Sequence, residues 1–346
     1  MSVVESVSAV TGGEYPCQRW LQIAYGMAAP EAGEFPRETP DVAVHRSRGH
    51  GRHHPQELPG DRARVIDLWR DLALTDAALV TGGLPLICAE WPHGAGLWDF
   101  LGEALNDPVS ALLVSAERSL AAEFPPQAQA RTVLAAIGSG ERTFTNIARA
   151  AGGIGATPLQ RALELLTNKR IVAAELPVSL RPSKDRRYRV TDPYLRFWLH
   201  LLGPSMEEIE RGRGDLTLAR IRESWTSWRG RAIEPLVRES LARILPDDRL
   251  PAAPAVGGYW NRTNDVEIDI VGADRAPIAE ELIFVGSIKW LEQSPFDRHD
   301  LAALHRHRAA LTDEPVPVVA VSRNGVDCPG LDAAYGPGDL LTARPL

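Results

Sequence analysis

The chain has 346 residues, 44% hydrophobic and 24% charged, with a formal net charge of −7. That length can bury two or three cores, and the ordinary composition points to globular domains. There is no run of about 18 apolar residues to span a membrane, the mild acidity carries no overall nucleic-acid signature, and the start lacks a charged segment before an apolar core, so a cytoplasmic protein is expected.

Cys17, Cys88 and Cys328 are odd in number and widely separated, which argues against a disulfide framework and a zinc ribbon and fits a reducing compartment. The only lysines are Lys169, Lys184 and Lys289. A phosphate-cradling loop needs Gly-Lys followed by Ser or Thr, because backbone amides wrap the phosphates while the lysine reaches the outer ones. These lysines precede Arg170, Asp185 and Trp290, and none follows glycine, so ATP binding is not expected.

Residues 1–56 are read as a poorly structured segment, since Gly, Pro, Arg and His dominate from Glu31 to Pro59 and periodicity is absent. His45, His50, His53 and His54 follow no closed-site metal pattern and read as solvated. The tetrapeptide VTGG at 10–13 recurs at 80–83, too short to establish a repeat. Over 57–128 the pattern turns helical. Val65, Leu68, Trp69 and Leu72 make one apolar face, Thr81-Gly82-Gly83 breaks the chain, and further helices follow around 97–105 and 111–122. Trp91 and Trp98 read as packing residues.

Residues 129–192 have the order of a winged helix-turn-helix. A first helix carries Val133, Leu134 and Ile137 and stops at Gly138-Ser139-Gly140. A second starts at the Thr143 cap and buries Phe144, Ile147, Ala148 and Ala151. A third starts with Thr157 as cap and Pro158 at its first position, and buries Leu159, Ala162, Leu163 and Leu166. Strands at 171–176 and 188–190 then flank a basic loop. The module holds 11 Arg/Lys against 5 Asp/Glu. Arg181, Lys184, Arg186, Arg187 and Arg189 crowd the wing, where they could neutralise DNA phosphates in a salt-dependent manner. Thr157, Gln160 and Arg161 are placed to meet DNA on the third helix, the last two reaching base edges. The competing reading is a packing module with an ordinary soluble surface.

Residues 193–229 form a helical connector. Asp192-Pro193 opens it, Leu195, Phe197, Trp198, Leu201 and Leu202 are expected to be mostly buried, GRGDL at 212–216 is a break, and Trp225 and Trp228 suggest an interdomain contact. The last domain, 230–346, starts with a helix stripe of Ile233, Leu236, Val237, Leu241 and Ile244, beside which sits Glu234. Runs at 266–271 and 282–288 read as a hairpin, followed by a helix with Leu301 and Leu304 and a strand at 316–321. Residues two apart on a strand share a face, so Glu267 projects with Asp269 and Ser287 with Lys289. Two carboxylates and an ammonium at one sheet end would suit a divalent metal and a phosphodiester. A polar rim on an edge hairpin is the alternative.

From about residue 60 onward the chain resembles the C-terminal part of the archaeal-type AAA/STAND-like ATPases. The likeness is carried by ALVTGGLPL (78–86), the helix-turn-helix at 143–168, YRVTDPYLRFWLHLLGP (188–204), RGRAIEPLVRE (229–239), EIDIVGAD (267–274) and FVGSIKWLE (284–292). The resemblance implies a multidomain chain: a helical lid-like remnant over 57–128, a winged helix, and a terminal α/β domain of unknown function with a restriction-endonuclease-like (PD-(D/E)XK-like) fold. The family's nucleotide-binding core is not matched, which would leave a lid surface free for a protein partner. In active relatives of the endonuclease fold a helix glutamate, a strand aspartate and a Glu-X-Lys pair form the metal site. By position these are Glu234, Asp269 and Lys289, with Ser287 in place of the glutamate. A serine hydroxyl is a weak neutral ligand, which only Glu267, Glu280 or Glu281 could offset. Two functions follow. The first is a truncated ATPase-family protein that binds DNA or a partner and carries a weakened nuclease domain. The second is a magnesium-dependent DNA endonuclease using Asp269 and Lys289, with Glu267 as a further metal ligand and a metal-activated water.

Overall fold

A computed structural model describes residues 75–92, 94–125 and 127–342. The expectations for 1–56, for the VTGG at 10–13, for Cys17, for the four histidines and for the Val65–Leu72 stripe lie outside the described residues.

A helical segment over 75–81 turns at Gly82 and Gly83, both at positive φ. Three helices follow: α1 (Pro85–Glu90), α2 (Leu97–Asn106) and α3 (Ala111–Glu123). The Glu90 carboxylate closes this group by accepting from Ser110 Oγ and Ala111 N, each at 2.8 Å, at the start of α3. There it meets unsatisfied N–H groups and the positive end of the helix dipole. Trp91 stacks on Phe100 at 4.2 Å and Trp98 lies edge-on to Trp225 at 5.7 Å, so both pack rather than face solvent.

Next come α4 (Gln129–Gly138), α5 (Phe144–Ala150), α6 (Ala156–Asn168) and an antiparallel pair, β1 (Val172–Glu175) with β2 (Arg187–Val190). The Thr143 hydroxyl accepts from Asn146 N, capping α5 as expected. Helix α6 differs at its start: Gly155 is the cap and makes no side-chain bond, leaving Thr157 exposed inside the first turn. Its face of Leu159, Ala162, Leu163 and Leu166 is buried as the spacing predicts. Gly138 has a packing reason, because a Cβ there would lie 2.4 Å from Leu199 Cβ.

Asp192 caps α7 (Pro193–Phe197). A π-type turn over Trp198–Leu202 follows, then α8 (Met206–Glu210) and the 31-residue α9 (Gly214–Ile244). Two side chains fasten this connector to α3. The Tyr194 hydroxyl donates to Leu112 O and accepts from Ala116 N, each at 2.9 Å, standing between a carbonyl and the amide four residues on. Trp198 Nε1 donates to Leu113 O at 2.9 Å. Gly230, where the sequence places the last domain's start, sits inside α9, so connector and terminal domain share one continuous helix. A mid-helix glycine costs about 1 kcal/mol against alanine; buried Trp228, Arg229, Ala232 and Ile233 hold the helix through it.

The C-terminal part is a mixed sheet in the order β3-β4-β5-β6-β7 (Ala255–Trp260, Glu267–Ala273, Leu282–Lys289, Val318–Ser322, Ala333–Tyr335). Strands β3, β4 and β5 are antiparallel, while β5, β6 and β7 run parallel. Ile270, Phe284, Val319 and Val321 pack into the core that holds Ile233, Val237 and Leu241 of α9. Val271, Val285 and Val318 pack with Leu304 of α10 (Arg298–Leu311) in a second core. A terminal helix, α11 (Pro337–Thr342), completes the described chain.

Candidate functional site

Between Ile268 and Val271, strand β4 advances three residues while β3 advances two, Gly257 to Tyr259. The extra residue is a bulge at Asp269–Ile270, and bulges re-aim side chains and end regular pairing. Pairing of β4 with β5 runs from Ala273 and Leu282 to Ile270 and Gly286 and is not continued to Asp269. At that parting the Asp269 carboxylate turns to β5: Oδ2 accepts from Ser287 Oγ at 2.9 Å and Ile288 N at 2.8 Å. The serine in the glutamate's place is therefore a hydrogen-bond donor to the aspartate.

The other members of the set have their own partners. Glu234, on α9, receives Arg238 Nη2 at 3.2 Å, while Arg238 Nε donates to Asp269 O at 2.7 Å. One guanidinium thus ties the helix glutamate to the backbone of the strand aspartate. Glu267 is held by Arg187 from β2, at 2.5 and 3.3 Å, and by Arg142 at 3.5 Å. Lys289 Nζ lies 2.9 Å from both oxygens of Asp300 on α10. Glu280 pairs with Arg275 in an exposed turn, and the Glu280 and Glu281 amides donate to Asp274.

Burial drives the electrostatics. It pushes the Asp269 carboxyl up, against the lowering donors Ile288 N–H and Ser287 Oγ. Burial also raises Glu234; Arg238 opposes this, and the nearby charges of Asp269 and Glu267 reinforce it. Glu267 ends below its ordinary value, because its Arg187 bonds and the charges of Arg187, Arg142 and Arg238 outweigh burial. Glu234, Glu267 and Asp269 are therefore gathered in one electrostatic neighbourhood, whereas Lys289 is spent on Asp300.

The residues expected on DNA divide into two groups. Thr157, Gln160, Arg161, Arg181, Lys184 and Arg186 are exposed. Among the described residues, no carboxylate pairs with the four cations of that group, and Gln160 donates to Glu164 at 2.8 Å. Arg187 and Arg189 face inward. Arg189 bonds Glu175 at 2.6 Å, and Arg187 lies 4.5 Å from the Trp260 ring and donates to Asn264 at 2.7 Å. The loop between β1 and β2 is docked on the sheet edge, with Val178 N donating to Gly258 O, Ser179 N to Pro277 O and Trp260 Nε1 to Asp185 O, at 2.9, 3.0 and 2.7 Å.

Sequence reasoning missed Arg142, Arg238 and Asp300 as partners of this set. The Glu234–Arg238 pair had a signal, being an i,i+4 glutamate–arginine spacing on a helix. The contacts of Arg142 and Asp300 are made across the fold and had none. Magnesium takes near-octahedral oxygen ligation through one or two carboxylates. The guanidinium of Arg238 on Glu234 and the two donors on Asp269 Oδ2 do not fit that ion.

No helix among the described residues is long and apolar enough to cross a membrane. Residues 198–301, which include Glu234, Glu267, Asp269 and Lys289, match the family DUF234, described as archaea bacterial proteins of unknown function. The chain is also 22% identical over 173 residues to the uncharacterized protein MJECL04 of Methanocaldococcus jannaschii, a match covering 49% of this chain and 39% of that relative. No solved structure matches.

Proposed function

We propose that this chain is a DNA-binding regulatory protein of the ATPase-related lineage it resembles, in which a winged helix contacts DNA and a restriction-endonuclease-like domain has become a structural platform. ATP binding forms no part of this reading, since no lysine of the chain follows glycine. The observation that carries the platform role is the internal neutralisation of the inherited set: Arg238 on Glu234, Arg187 on Glu267, Asp300 on Lys289, and Ser287 donating to Asp269. The DNA-binding role is supported by exposed Thr157, Gln160 and Arg161 on α6 and by exposed Arg181, Lys184 and Arg186 on the loop. Leu86 and Val109, 71% and 73% exposed on the helical part, offer an apolar contact for a protein partner.

Two measurements test the reading. With magnesium, wild type should nick a supercoiled plasmid no faster than Asp269→Ala; cleavage by wild type that the variant loses would establish the alternative, a magnesium-dependent endonuclease using Asp269 and Lys289. What favours that alternative is the mutual electrostatic influence of Glu234, Glu267 and Asp269. For DNA contact, four phosphate-neutralising cations give a slope of log affinity against log salt of about −3 to −4. A flat dependence retires the winged-helix role.

A further inference from the structure

A second group of charges overlaps that set at Glu234, Arg187 and Arg238 and is matched only in part. Between the β1–β2 pair, α7 and α9 is a cleft of about 140 Å³. Among the described residues it is lined by Arg142, Arg187, Arg189, Arg196, Arg231 and Arg238, and by two carboxylates, Glu175 and Glu234. Arg189 is paired with Glu175, Arg238 with Glu234, and Arg187 with Glu267, which Arg142 shares at 3.5 Å. Six guanidinium groups against three carboxylates leave an excess of three positive charges. Arg231 has no side-chain partner among the described residues and is exposed, while Arg196 donates only to a carbonyl, Arg231 O, at 3.1 Å.

The origin of that last bond is legible in the chain. Pro235 sits inside α9 and has no N–H, so the carbonyl four residues earlier loses its helical donor. That carbonyl is Arg231 O, and Arg196 takes the vacancy. Helix α9 therefore turns an acceptor that its own ladder leaves open toward the cleft, and that carbonyl holds the Arg196 guanidinium there without neutralising it. Burial lowers the Arg196 pKa to about 10, the countering charge of Glu234 being the next largest influence. Trp228 and Tyr188 supply apolar wall.

We infer that this cleft binds a dianionic phosphate group, with Arg196 and Arg231 as its main ligands and Arg142 and Arg189 at its edge. Guanidinium groups present paired donors in a planar fork that matches phosphate oxygens. The cleft is smaller than the roughly 300–1,000 Å³ of typical small-molecule sites, so it admits a phosphate group and not a whole nucleotide or a duplex. The phosphate is that of a monoester, either a free small molecule or the 5′ end of a nucleic-acid strand. Bound there, it would tie the β1–β2 pair to α9 and so to the sheet. The cleft shares Glu234, Arg187 and Arg238 with the paired set, but the inference does not rest on the proposed function, because its main ligands, Arg196 and Arg231, belong neither to that set nor to α6.

The test is thermal unfolding of the full chain titrated with inorganic phosphate, ionic strength being held with chloride. Wild type should show a saturable rise in Tm. Hydrogen bonds to charged groups contribute about 1.5–3 kcal/mol, so Arg231→Gln should weaken apparent phosphate affinity about tenfold or more, with its phosphate-free Tm unchanged. Arg196→Gln should weaken it as much. No saturable rise in wild type at millimolar phosphate, or equal affinity in wild type and Arg231→Gln, overturns the inference. Competition identifies the source. Displacement by a 5′-phosphorylated but not a 5′-hydroxyl oligonucleotide assigns a strand end, and displacement by adenosine monophosphate alone assigns a small molecule. Either pattern upholds phosphate binding, and it holds whether or not the plasmid is nicked or the salt dependence is steep.

Discussion

Two clusters of charge meet at Glu234 and Arg238 of α9 and differ in one respect. Around Asp269 each formal charge has a protein counter-charge or donor within hydrogen-bond distance: Arg238 on Glu234, Arg187 on Glu267, Asp300 on Lys289, Ser287 and Ile288 on Asp269. In the neighbouring cleft, Arg196 and Arg231 have no carboxylate partner among the described residues. A matched cluster contributes to stability and specifies packing, and removing one member leaves the other buried and uncompensated. An unmatched cluster contributes little to folding and is arranged for something that arrives. Charge-removing substitutions should therefore destabilise the first and barely affect the second.

The sharpest break of that contrast uses a third, fully matched group. Arg229, 1% exposed on α9, and Arg323 after β6 both bond Asp76 of the 75–81 helix at 3.2 Å, and Arg229 also reaches Glu292 at 2.6 Å. Asp76→Ala leaves two buried guanidinium groups facing each other, and a loss of about 3–5 kcal/mol is expected in urea unfolding. A loss below 1 kcal/mol would show that the helical part is not fastened here.

A smaller effect is expected at the docked loop. Arg187→Ala removes the Glu267 and Asn264 bonds and the contact with Trp260. Because Glu267 keeps some solvent contact, a loss of about 2–3 kcal/mol is expected, below the range for fully buried pairs. Limited proteolysis between β1 and β2 should quicken in parallel. Stability equal to wild type would mean that the loop is free and available to DNA as a whole.

Smaller again, and distinctive in sign, is the pH dependence of the two strand carboxylates. The Asp269 pKa is raised by burial above its ordinary 3.8. The folded state thus holds its proton more tightly than the unfolded state, and the contribution is fully present below about 3.8 and lost as pH rises through the folded value. Glu267 is lowered from its ordinary 4.5 by its arginines, against the opposing effect of burial. Its contribution is present above 4.5 and lost as pH falls through the folded value. Stability of wild type relative to Asp269→Asn should therefore fall as pH rises through the acid range, and relative to Glu267→Gln it should rise. Slopes of the same sign would contradict the assigned environments. The least effect belongs to Arg231→Gln, whose phosphate-free stability should stay within about 0.5 kcal/mol of wild type.

Much of the local structure was legible. The i, i+3, i+4, i+7 spacing of Leu159, Ala162, Leu163 and Leu166 predicts the buried face of α6, Thr143 and Asp192 are caps as read, and the runs at 266–271 and 282–288 are the paired strands β4 and β5. Strand β3 was not foreseen, since AVGGYW carries two glycines and no clean alternation. It exists because β4 and the β1–β2 loop both need a bonding partner there. Gly258 accommodates Arg238, whose Nη2 would lie 2.7 Å from a Cβ at that position. Continuity of α9 through Gly230 was equally hidden, since propensity is a weak term that tertiary packing overrides.

What the chain itself determined is local: periodicity sets which face of each helix is apolar, and hydroxyl and carboxylate caps set where helices begin. Which charge meets which was decided only by the tertiary structure. Arg187 lies 80 residues from Glu267, Arg196 lies 35 from the carbonyl that Pro235 frees, and Asp76 lies 247 from Arg323. Coulomb and hydrogen-bond energies depend on separation in space, steeply within a few ångströms, and sequence distance does not encode that separation. The choice between a matched cluster and an arginine cleft was thus made when the β1–β2 pair docked against α9 and the sheet edge.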